Sequence, residues 1–334
     1  MKRIPTLDGW RGIAILLVLI DHFTPGFPSH WGNPWMELIG LHGVTIFFVL
    51  SGFLITSRLL AEKRINLGQF YIRRFFRLMP CAWTYLVIVG IVGGLTIPDL
   101  TACVFFYRNQ VNFPFHAATG HFWSLSAEED FYLAWPGILL LLGRRAWIFA
   151  AVSVIGLTFW SHYPSAACDF AMRFHQQPLM VGCILAFLPK ATFRGHSWAL
   201  LISLIGLVFC IRFSHYQIVA PMPEVCLIAF AIWSTSHHRF PFADFVLENR
   251  YLATIGSISY SLYMWQMPLS MFGPRNWFAV PFRFAALLVL GWSSYRLLER
   301  PMIQFGRRFQ VRTRRGANEI CGDSPAGVPE PENI

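Results

Sequence analysis

Long apolar runs, separated by short polar segments, are the feature of this sequence that most restricts its fold. Hydrophobic residues occupy 55% of the 334 positions and charged residues only 13%, and the mean hydropathy is +0.48. A soluble domain cannot hide so much apolar surface, whereas a helix of about 20 apolar residues crosses the hydrocarbon core of a bilayer. The chain is therefore predicted to be an all-α, polytopic membrane helical bundle.

Ten runs are long enough to be transmembrane helices. They lie near Trp10–Phe27, Glu37–Leu59, Pro80–Ile97, Ser124–Leu142, Ala146–Ser161, Arg173–Leu188, Ser197–Phe213, Pro223–Ser236, Leu252–Phe272 and Val280–Leu298. If the N-terminus is cytoplasmic, most Lys and Arg residues fall on that side, as the positive-inside rule requires. We therefore expect both termini in the cytoplasm. Because topology explains the net charge of +10, no nucleic-acid partner is expected.

Composition divides the chain into two parts. Residues 1–301 form the predicted membrane domain. Residues 302–334 begin with a basic run, Arg307–Arg315, and end in a mixture of Pro, Gly and Glu. Such a mixture cannot bury a core, so we expect a disordered cytoplasmic tail. The seven cysteines of the chain are scattered without a CxxC pair, and no metal site is expected.

The first apolar run carries ionisable residues. Arg11 and His22 are eleven positions apart, which on an α-helix is three turns plus about 20°, so they share a face and lie about 16 Å apart. This spacing places His22 near the middle of a bilayer, beside Asp21. Ionisable groups at that depth are costly and are functional candidates by default. The structural alternative is a histidine that is hydrogen-bonded between helices.

A basic cluster precedes the third apolar run. It lies in Phe70–Pro80 and contains Arg73, Arg74 and Arg77, of which the last two share a helix face. Guanidinium groups bind phosphates bidentately, so the cluster could hold a nucleotide-like phosphate at the inner surface. Contacts with lipid headgroups and positive-inside anchoring explain the same cluster equally well.

An acidic cluster lies at the predicted outer end of another run. The stretch His121–Pro136 includes Glu128 and Glu129. Carboxylates are costly in lipid unless they bind a polar substrate or pair with a cation, for which Arg173 is a candidate. We favour a role in substrate binding over a purely structural one.

Three further stretches carry small or polar groups. The longest predicted outer loop, Pro98–Phe122, is the best candidate for the mouth of an outward-facing site. The small pair Ser51–Gly52 would let another helix or a ligand approach closely, and packing explains most such pairs. The hydroxyl and amide groups of Ile258–Pro268 need partners inside the bundle, and core hydrogen bonding accounts for them adequately.

Six motifs, in order along the chain, resemble acyltransferase family 3: Asp8–Arg11 with His22, Phe47–Ile55, Phe70–Pro80, Trp123–Leu133, Ser259–Trp265 and Glu299–Pro301. Members of this family are integral membrane enzymes that O-acylate surface glycans and some small hydroxylated metabolites. The resemblance implies transfer of an acyl group, usually acetyl, from cytoplasmic acyl-CoA to a carbohydrate or other hydroxyl at a bacterial inner membrane. Acetyl-CoA would be a donor substrate, and no permanently bound cofactor is implied.

The resemblance also implies roles for particular residues. Arg11 and His22 correspond to the essential pair of the family. The basic motif is associated with the CoA donor and here comprises Arg73, Arg74 and Arg77. The residues that we expect to bind the acceptor are Glu128, Glu129, Trp123 and Arg173.

The chemistry expected of His22 follows from the acid–base properties of imidazole. Neutral imidazole is suited to removing a proton from an alcohol near neutral pH. His22 is therefore predicted to be a general base or the carrier of a transient acyl-imidazole. The oxyanion donor stays open among Ser51, Ser124, Ser126 and Trp123. Two departures from the family pattern concern accessory acid–base groups: Thr45 replaces a common Asp, and Gln266 replaces a common His.

Two other functional classes fit parts of the sequence. A transporter or flippase of a glycan or metabolite could use Asp21 and His22 as an intramembrane proton relay. A non-catalytic sensor could keep the fold without chemistry. The Arg11 and His22 pair, combined with a phosphate-binding cluster, favours the enzyme.

Overall fold

The computed structural model describes residues 4–24, 39–111, 116–161, 176–189, 200–206, 222–271 and 277–309. All regular secondary structure in these ranges is helical. The helices are α1 Pro5–Phe23, α2 Ile39–Ala61, α3 Leu67–Gly93, α4 Ile97–Val104, α5 Phe122–Leu142, α6 Ala146–Ser161, α7 Gln177–Phe187, α8 Met222–His237, α9 Pro241–Leu247, α10 Arg250–Ser257, α11 Ser259–Met271 and α12 Ala279–Ser294. A π-helical turn, Tyr295–Glu299, continues α12 into a helical segment that reaches residue 309.

The described helices have the character of a membrane protein. Three helical stretches are long and apolar enough to cross a bilayer: Ile39–Ala61, Leu67–Gly93 and Ala117–Phe159. Large apolar side chains on their surface face outward, for example Ile91, which is 80% exposed, and Leu141, which is 85% exposed. An apolar surface of this extent suits lipid and not water. The predicted all-α membrane bundle is confirmed, whereas the number of ten transmembrane helices stays a prediction.

Helix α3 begins earlier than the sequence suggested. The third span was placed at Pro80–Ile97, but the helix starts at Leu67, where the side chain of Asn66 accepts a hydrogen bond from the backbone N–H of Gln69 at 2.9 Å. This N-cap satisfies a backbone donor that the helix itself leaves free. Pro80 lies inside α3 without ending it. The basic cluster is therefore part of the same helix as the apolar run that follows it.

The predicted ninth span is divided in two. Leu252–Phe272 was expected to be a single helix, but α10 ends at Ser257 and α11 begins at Ser259. Helix α10, before this break, packs closely against α1. Gly256 lies against the backbone carbonyl of Asp8, at a distance that leaves no room for a Cβ atom.

Helices α2 and α7 also meet through glycine. Gly52 lies against the backbone carbonyl of Leu179, and Gly182 lies against the backbone carbonyl of Val49. A side chain at either glycine would collide with the main chain of the other helix. The prediction that Ser51–Gly52 permits close helix packing is confirmed, and small residues of this kind are the usual means of close contact between membrane helices.

The α3–α5 connection, residues 94–121, is built around Asp99. Its carboxylate is fully buried and accepts hydrogen bonds from the backbone N–H of His116 at 2.7 Å and the hydroxyl of Thr119 at 3.0 Å. The guanidinium of Arg108 lies 3.9 Å from the same carboxylate. Burial lowers the pKa of Arg108 from its ordinary value, and the Asp99 charge opposes that shift. The predicted outer loop is therefore an ordered structural element where it is described, with residues 112–115 outside the described ranges.

A second carboxylate secures the α3–α5 connection to α5. Asp130 accepts hydrogen bonds from the side chains of Asn109 at 2.9 Å and Gln110 at 3.4 Å. The hydroxyl of Tyr85, in α3, donates to the carbonyl of Ala118 at 2.6 Å. Of the three consecutive acids in the acidic cluster, Asp130 therefore has a structural role.

Candidate active site

A cationic cavity lies where α1, α2 and α3 meet the helical segment that follows Glu299. We call it the arginine cavity; it comprises two adjoining pockets that share Arg58, Arg74, Arg77 and Arg307. The charged lining residues of the two pockets together are Arg11, Arg58, Arg73, Arg74, Arg77, Arg307, Asp8, Glu62 and Glu299. Six arginines thus face three carboxylates, a formal surplus of three positive charges. Such a surplus in a partly enclosed space is a binding site for an anion with several charges.

The carboxylates of the arginine cavity neutralise only some of the arginines. Arg73 lies 3.0 Å from Glu62, and Arg11 lies 3.7 Å from Asp8. For the other four arginines, no carboxylate of the described residues lies within 4.0 Å; they are Arg58, Arg74, Arg77 and Arg307. These four guanidinium groups retain donors for a ligand.

Helix α3 and the neighbouring α5 fix the position of Arg74. Its guanidinium lies over the ring of Tyr132, 4.6 Å from the ring centroid, and 5.7 Å from the centroid of Phe70. Cation–π contacts hold the group without consuming its hydrogen-bond donors. Arg77, one turn along α3, lines the same cavity. The prediction that Arg74 and Arg77 share one helix face is confirmed.

A second cavity opens from the first and shares Arg11, Arg74 and Arg77 with it. We call it the reaction cleft; its further polar lining residues are Ser51, Ser124, Glu128, Tyr132, Ser259, Tyr260 and Tyr263. The Ser51 hydroxyl donates to Glu128 at 2.6 Å, and Tyr132 donates to Ser51 at 3.4 Å. Glu128 therefore lies beside the arginines predicted to bind the donor, and its predicted role in acceptor binding stays a prediction.

His22 lies in the last turn of α1, about 16 Å along the helix from Arg11. Its Nδ1 is 3.2 Å from Oε1 of Gln266, and its Nε2 is 4.0 Å from Oδ2 of Asp21. The side chains of His22 and Asp21 are 32% and 25% exposed. A partly exposed imidazole with one fixed nitrogen can accept a proton at the other.

Helix α11 connects the reaction cleft to His22. Tyr263 lines the cleft and forms a hydrogen bond of 2.5 Å with the hydroxyl of Ser124. Gln266, which contacts His22, follows Tyr263 by three positions on the same helix. Two neighbouring helices therefore lead from the cleft to His22: α1, which carries Arg11 and His22, and α11, which carries Tyr263 and Gln266.

The other predicted site residues have varied surroundings. Glu129 is within electrostatic range of Arg74, and the ring of Trp123 packs edge-to-face against Phe48 with the centroids 6.3 Å apart. Arg173 lies outside the described residues. Glu128 and Glu129 therefore have Arg74 as a described cationic neighbour, where the sequence had suggested Arg173.

The four oxyanion-donor candidates also differ in position. Ser51 and Ser124 line the reaction cleft. Ser126 accepts a hydrogen bond from the backbone N–H of Arg108 at 3.2 Å, in the α3–α5 connection. Ser126 is thus bound to a structural element, whereas the hydroxyls of the two cleft serines donate to other groups, Ser51 to Glu128 and Ser124 to the carbonyl of His121.

Several residues of the site were not predicted from the sequence. Tyr260, Tyr263 and Gln266 belong to the stretch that core hydrogen bonding seemed to explain, yet the two tyrosines line the reaction cleft and Gln266 contacts His22. Buried Glu299 lines the arginine cavity and accepts a hydrogen bond from Ser261 at 2.9 Å. The available signal was the density of hydroxyl and amide groups in an apolar run, which indicates a polar interior.

The fold and the site define a helical membrane protein in which an arginine-rich cavity adjoins a polar cleft and α1 carries a partly exposed histidine. The family of the acyltransferase domain matches residues 4–295, and the chain belongs to this family. The resemblance seen in the motifs is confirmed, and the chain is an acyltransferase-family protein.

Three similar proteins carry related names. The chain is 27% identical to the peptidoglycan O-acetyltransferase OatA of Listeria monocytogenes, over 91% of this chain and 56% of that protein. It is 28% identical to the O-acetyltransferase OatA of Staphylococcus aureus, over 91% of this chain and 58% of that protein. It is 29% identical to a putative O-acetyltransferase of Staphylococcus aureus, over 92% of this chain and 58% of that protein.

The chain therefore spans somewhat more than half the length of these relatives. No solved structure matches it.

Proposed function

We propose that this protein is a membrane O-acetyltransferase that moves an acetyl group from acetyl-CoA to a hydroxyl of a surface or exported carbohydrate. The observation that carries the proposal is the arginine cavity, with its surplus of positive charge, opening into a polar cleft. Membership of the acyltransferase family supports the reaction class. The names of the relatives support acetyl as the group and a glycan as the acceptor.

The arginine cavity suits the charged end of the donor. Coenzyme A carries a pyrophosphate and a separate ribose phosphate, and planar guanidinium groups bind such oxygens in pairs. Arg74 and Arg77 lie at the junction of the two cavities, where Arg11 also contributes. The phosphates would bind here, and the thioester arm would extend through the reaction cleft toward His22.

The proposed topology follows from where acetyl-CoA is made. The donor is a cytoplasmic metabolite, so the arginine cavity would open to the cytoplasm, with the N-terminus and the C-terminal tail on that side. His22 would then lie deeper in the membrane, close to an acceptor that arrives from the other face. The membrane would be the inner membrane of a bacterium, and ten helices would cross it.

The proposed reaction moves the acetyl group from CoA to the acceptor oxygen, and the proton of the acceptor hydroxyl to the sulfur of CoA. Nε2 of His22 takes the proton of the acceptor hydroxyl as its oxygen bonds to the acetyl carbon. The carbon–sulfur bond of the thioester then breaks, and the thiolate of CoA receives a proton from the imidazolium. The products are an acetate ester and CoA thiol. Ser51 and Ser124 have hydroxyls in the cleft, and each would turn from its present acceptor, Glu128 or the carbonyl of His121, to donate to the oxygen of the tetrahedral intermediate.

A transporter that uses Asp21 and His22 as a proton relay is less well supported. Such a protein has no need for a cavity with surplus arginines at the other end of α1. A transporter would also not be expected to belong to a family of acyltransferases. The two classes differ in a product: only the enzyme leaves an alkali-labile ester on its acceptor.

The test is mass spectrometry of surface polysaccharides from cells that express the wild type, His22→Gln, Arg11→Gln or Arg239→Gln. Arg239 is an exposed arginine that pairs with Glu248 at 2.6 Å, so it serves as a matched control. We expect acetyl esters with the wild type and the control, and none with the other two variants at equal membrane abundance.

Esters that persist in His22→Gln would show that His22 is not the base. If no cell line forms an ester although every protein reaches the membrane, the carbohydrate acceptor is wrong.

A further inference from the structure

The contact between His22 and Gln266 joins residues that are 244 positions apart in the sequence. Gln266 is fully buried in α11, and its Oε1 is 3.2 Å from Nδ1 of His22 in α1. No other described residue contributes a hydrogen bond to either ring nitrogen of His22 at this range. The orientation of the imidazole therefore depends on this one amide.

An amide oxygen can only accept a hydrogen bond, whereas a neutral imidazole has one donor nitrogen and one acceptor nitrogen. When Oε1 of Gln266 faces Nδ1, the proton must be on Nδ1, and the lone pair is on Nε2. We propose that Gln266 is the positioning residue that fixes His22 in this tautomer, so that Nε2 is the base. The role of Nε2 as base rests on the proposed function, but the tautomer itself does not.

The amide has a property that a carboxylate in the same place would lack. It is neutral, so it orients the ring without favouring the protonated imidazolium. A base must be unprotonated before it can act. An asparagine orients the catalytic histidine of papain-like proteases by the same chemistry.

Charged and titratable groups face His22 from several helices. On α1, Asp21 lies 4.0 Å from Nε2 and can stabilise the imidazolium once it forms. His121, just before α5, is buried within electrostatic range of His22. His42 of α2 is within range of Asp21 and is itself bonded to buried Glu224 of α8 at 2.5 Å.

The remaining charge near His22 is on α12. Arg283 donates to the carbonyl of Phe23 at 3.4 Å, next to His22 in sequence. Asp21 in turn is held against the start of α2, where a Cβ at Gly40 would lie 2.7 Å from its Oδ2. These neighbours set the charge around the ring, but the tautomer is set by the group that contacts Nδ1.

The direct test is nitrogen NMR of the full-length protein in lipid nanodiscs, with ¹⁵N-labelled histidine. The His22 signals are assigned by their loss in His22→Gln. We expect the wild type to carry its proton on Nδ1, although free histidine prefers Nε2. In Gln266→Met, which keeps the length of the side chain but removes its polar atoms, the proton should move to Nε2.

Two further variants make this test specific. Gln177→Met changes another buried glutamine, in α7, and should leave the His22 signals as in the wild type. Gln266→Glu keeps an acceptor at the same place, so the proton should stay on Nδ1, and the imidazole should titrate at higher pH. A wild-type His22 protonated on Nε2, or an Nδ1 proton that survives in Gln266→Met, would overturn the proposal.

Kinetics with acetyl-CoA and a chito-oligosaccharide acceptor supply a second measurement. In Gln266→Met, kcat should fall by about 100-fold or more, with KM for acetyl-CoA unchanged, because a wrong tautomer disables the base and not the donor site. Gln266→Glu should restore most of kcat, with the acidic limb of its pH profile moved to higher pH. If the NMR result holds but the wild type transfers no acetyl, the proposed function fails and the positioning role of Gln266 stands.

Discussion

Two regions of this protein hold buried or partly buried arginine, and they differ in how its charge is balanced. In the α3–α5 connection, Arg108 lies 3.9 Å from the fully buried carboxylate of Asp99, which also accepts two hydrogen bonds. In the arginine cavity, Arg74 and Arg77 have no carboxylate of the described residues within 4.0 Å. One region contains its own counter-charge, and the other has a surplus.

The difference distinguishes an arginine that stabilises the fold from arginines that are available to bind a ligand. Removing an ion from water costs several kcal/mol, so a buried charge without a ligand to bind is normally neutralised by the protein itself. A surplus of positive charge that the protein does not neutralise therefore indicates a site for an anionic ligand. The predictions below test this distinction, from the largest expected effect to the smallest.

The largest effect is expected from Asp99→Ala. This change leaves Arg108 buried beside an empty position and removes the acceptor of His116 and Thr119. Breaking a buried pair in this way typically lowers the free energy of unfolding by about 3–5 kcal/mol. Unfolding in mixed detergent micelles measures it, with Glu248→Ala as the control, because the Glu248 side chain is partly exposed and its ion pair is with exposed Arg239. A loss below about 1 kcal/mol would mean that the pair is not structural.

Arg77→Met should weaken binding of acetyl-CoA without lowering stability, in contrast to Asp99→Ala. The variant removes one surplus charge from the arginine cavity, so stability should be unchanged or slightly higher. The KM for acetyl-CoA should rise by about 10- to 100-fold, which corresponds to roughly 1.4–2.8 kcal/mol for a lost charge-assisted contact. Steady-state kinetics at constant ionic strength measure the change. An unaltered KM would show that the surplus serves lipid headgroups instead.

Asp130→Ala should have a smaller effect on stability than Asp99→Ala. Asp130 accepts hydrogen bonds from Asn109 and Gln110 but faces no buried cation in the described structure. The free energy of unfolding should fall by about 1.5–3 kcal/mol, the usual range for hydrogen bonds to a charged group. The same unfolding experiment applies. A larger loss than for Asp99→Ala would reverse the order proposed for the two carboxylates.

The smallest effect is expected from Arg73→Met. Arg73 lies in the arginine cavity but is already paired with Glu62 at 3.0 Å. We expect the KM for acetyl-CoA to change by less than about threefold, since partly exposed pairs contribute little. A change as large as that of Arg77→Met would contradict the distinction between paired and surplus arginine.

Part of the site follows from the sequence alone. The spacing of Arg11 and His22 fixes them on one face of one helix, and the spacing of Arg74 and Arg77 does the same, because helical geometry is local. The contact of His22 with Gln266 does not follow, since it depends on how α1 and α11 are rotated against each other. The burial of Asp99 was likewise hidden, because α4, which carries it, has only eight residues, too few for a periodic pattern to show which side chains turn inward.

Helix α3 sets the depth of the arginines in the bilayer. With 27 residues it is about 40 Å long, whereas the hydrocarbon layer is about 30 Å thick. The excess of about 10 Å corresponds to about seven residues, so residues 67–73 can project beyond the layer, whereas Arg74 and Arg77 then lie just inside its edge; Pro80 does not interrupt the helix. A thicker membrane would draw these charges into lipid or tilt the whole helix. The depth of the proposed donor site in the bilayer therefore depends on membrane thickness.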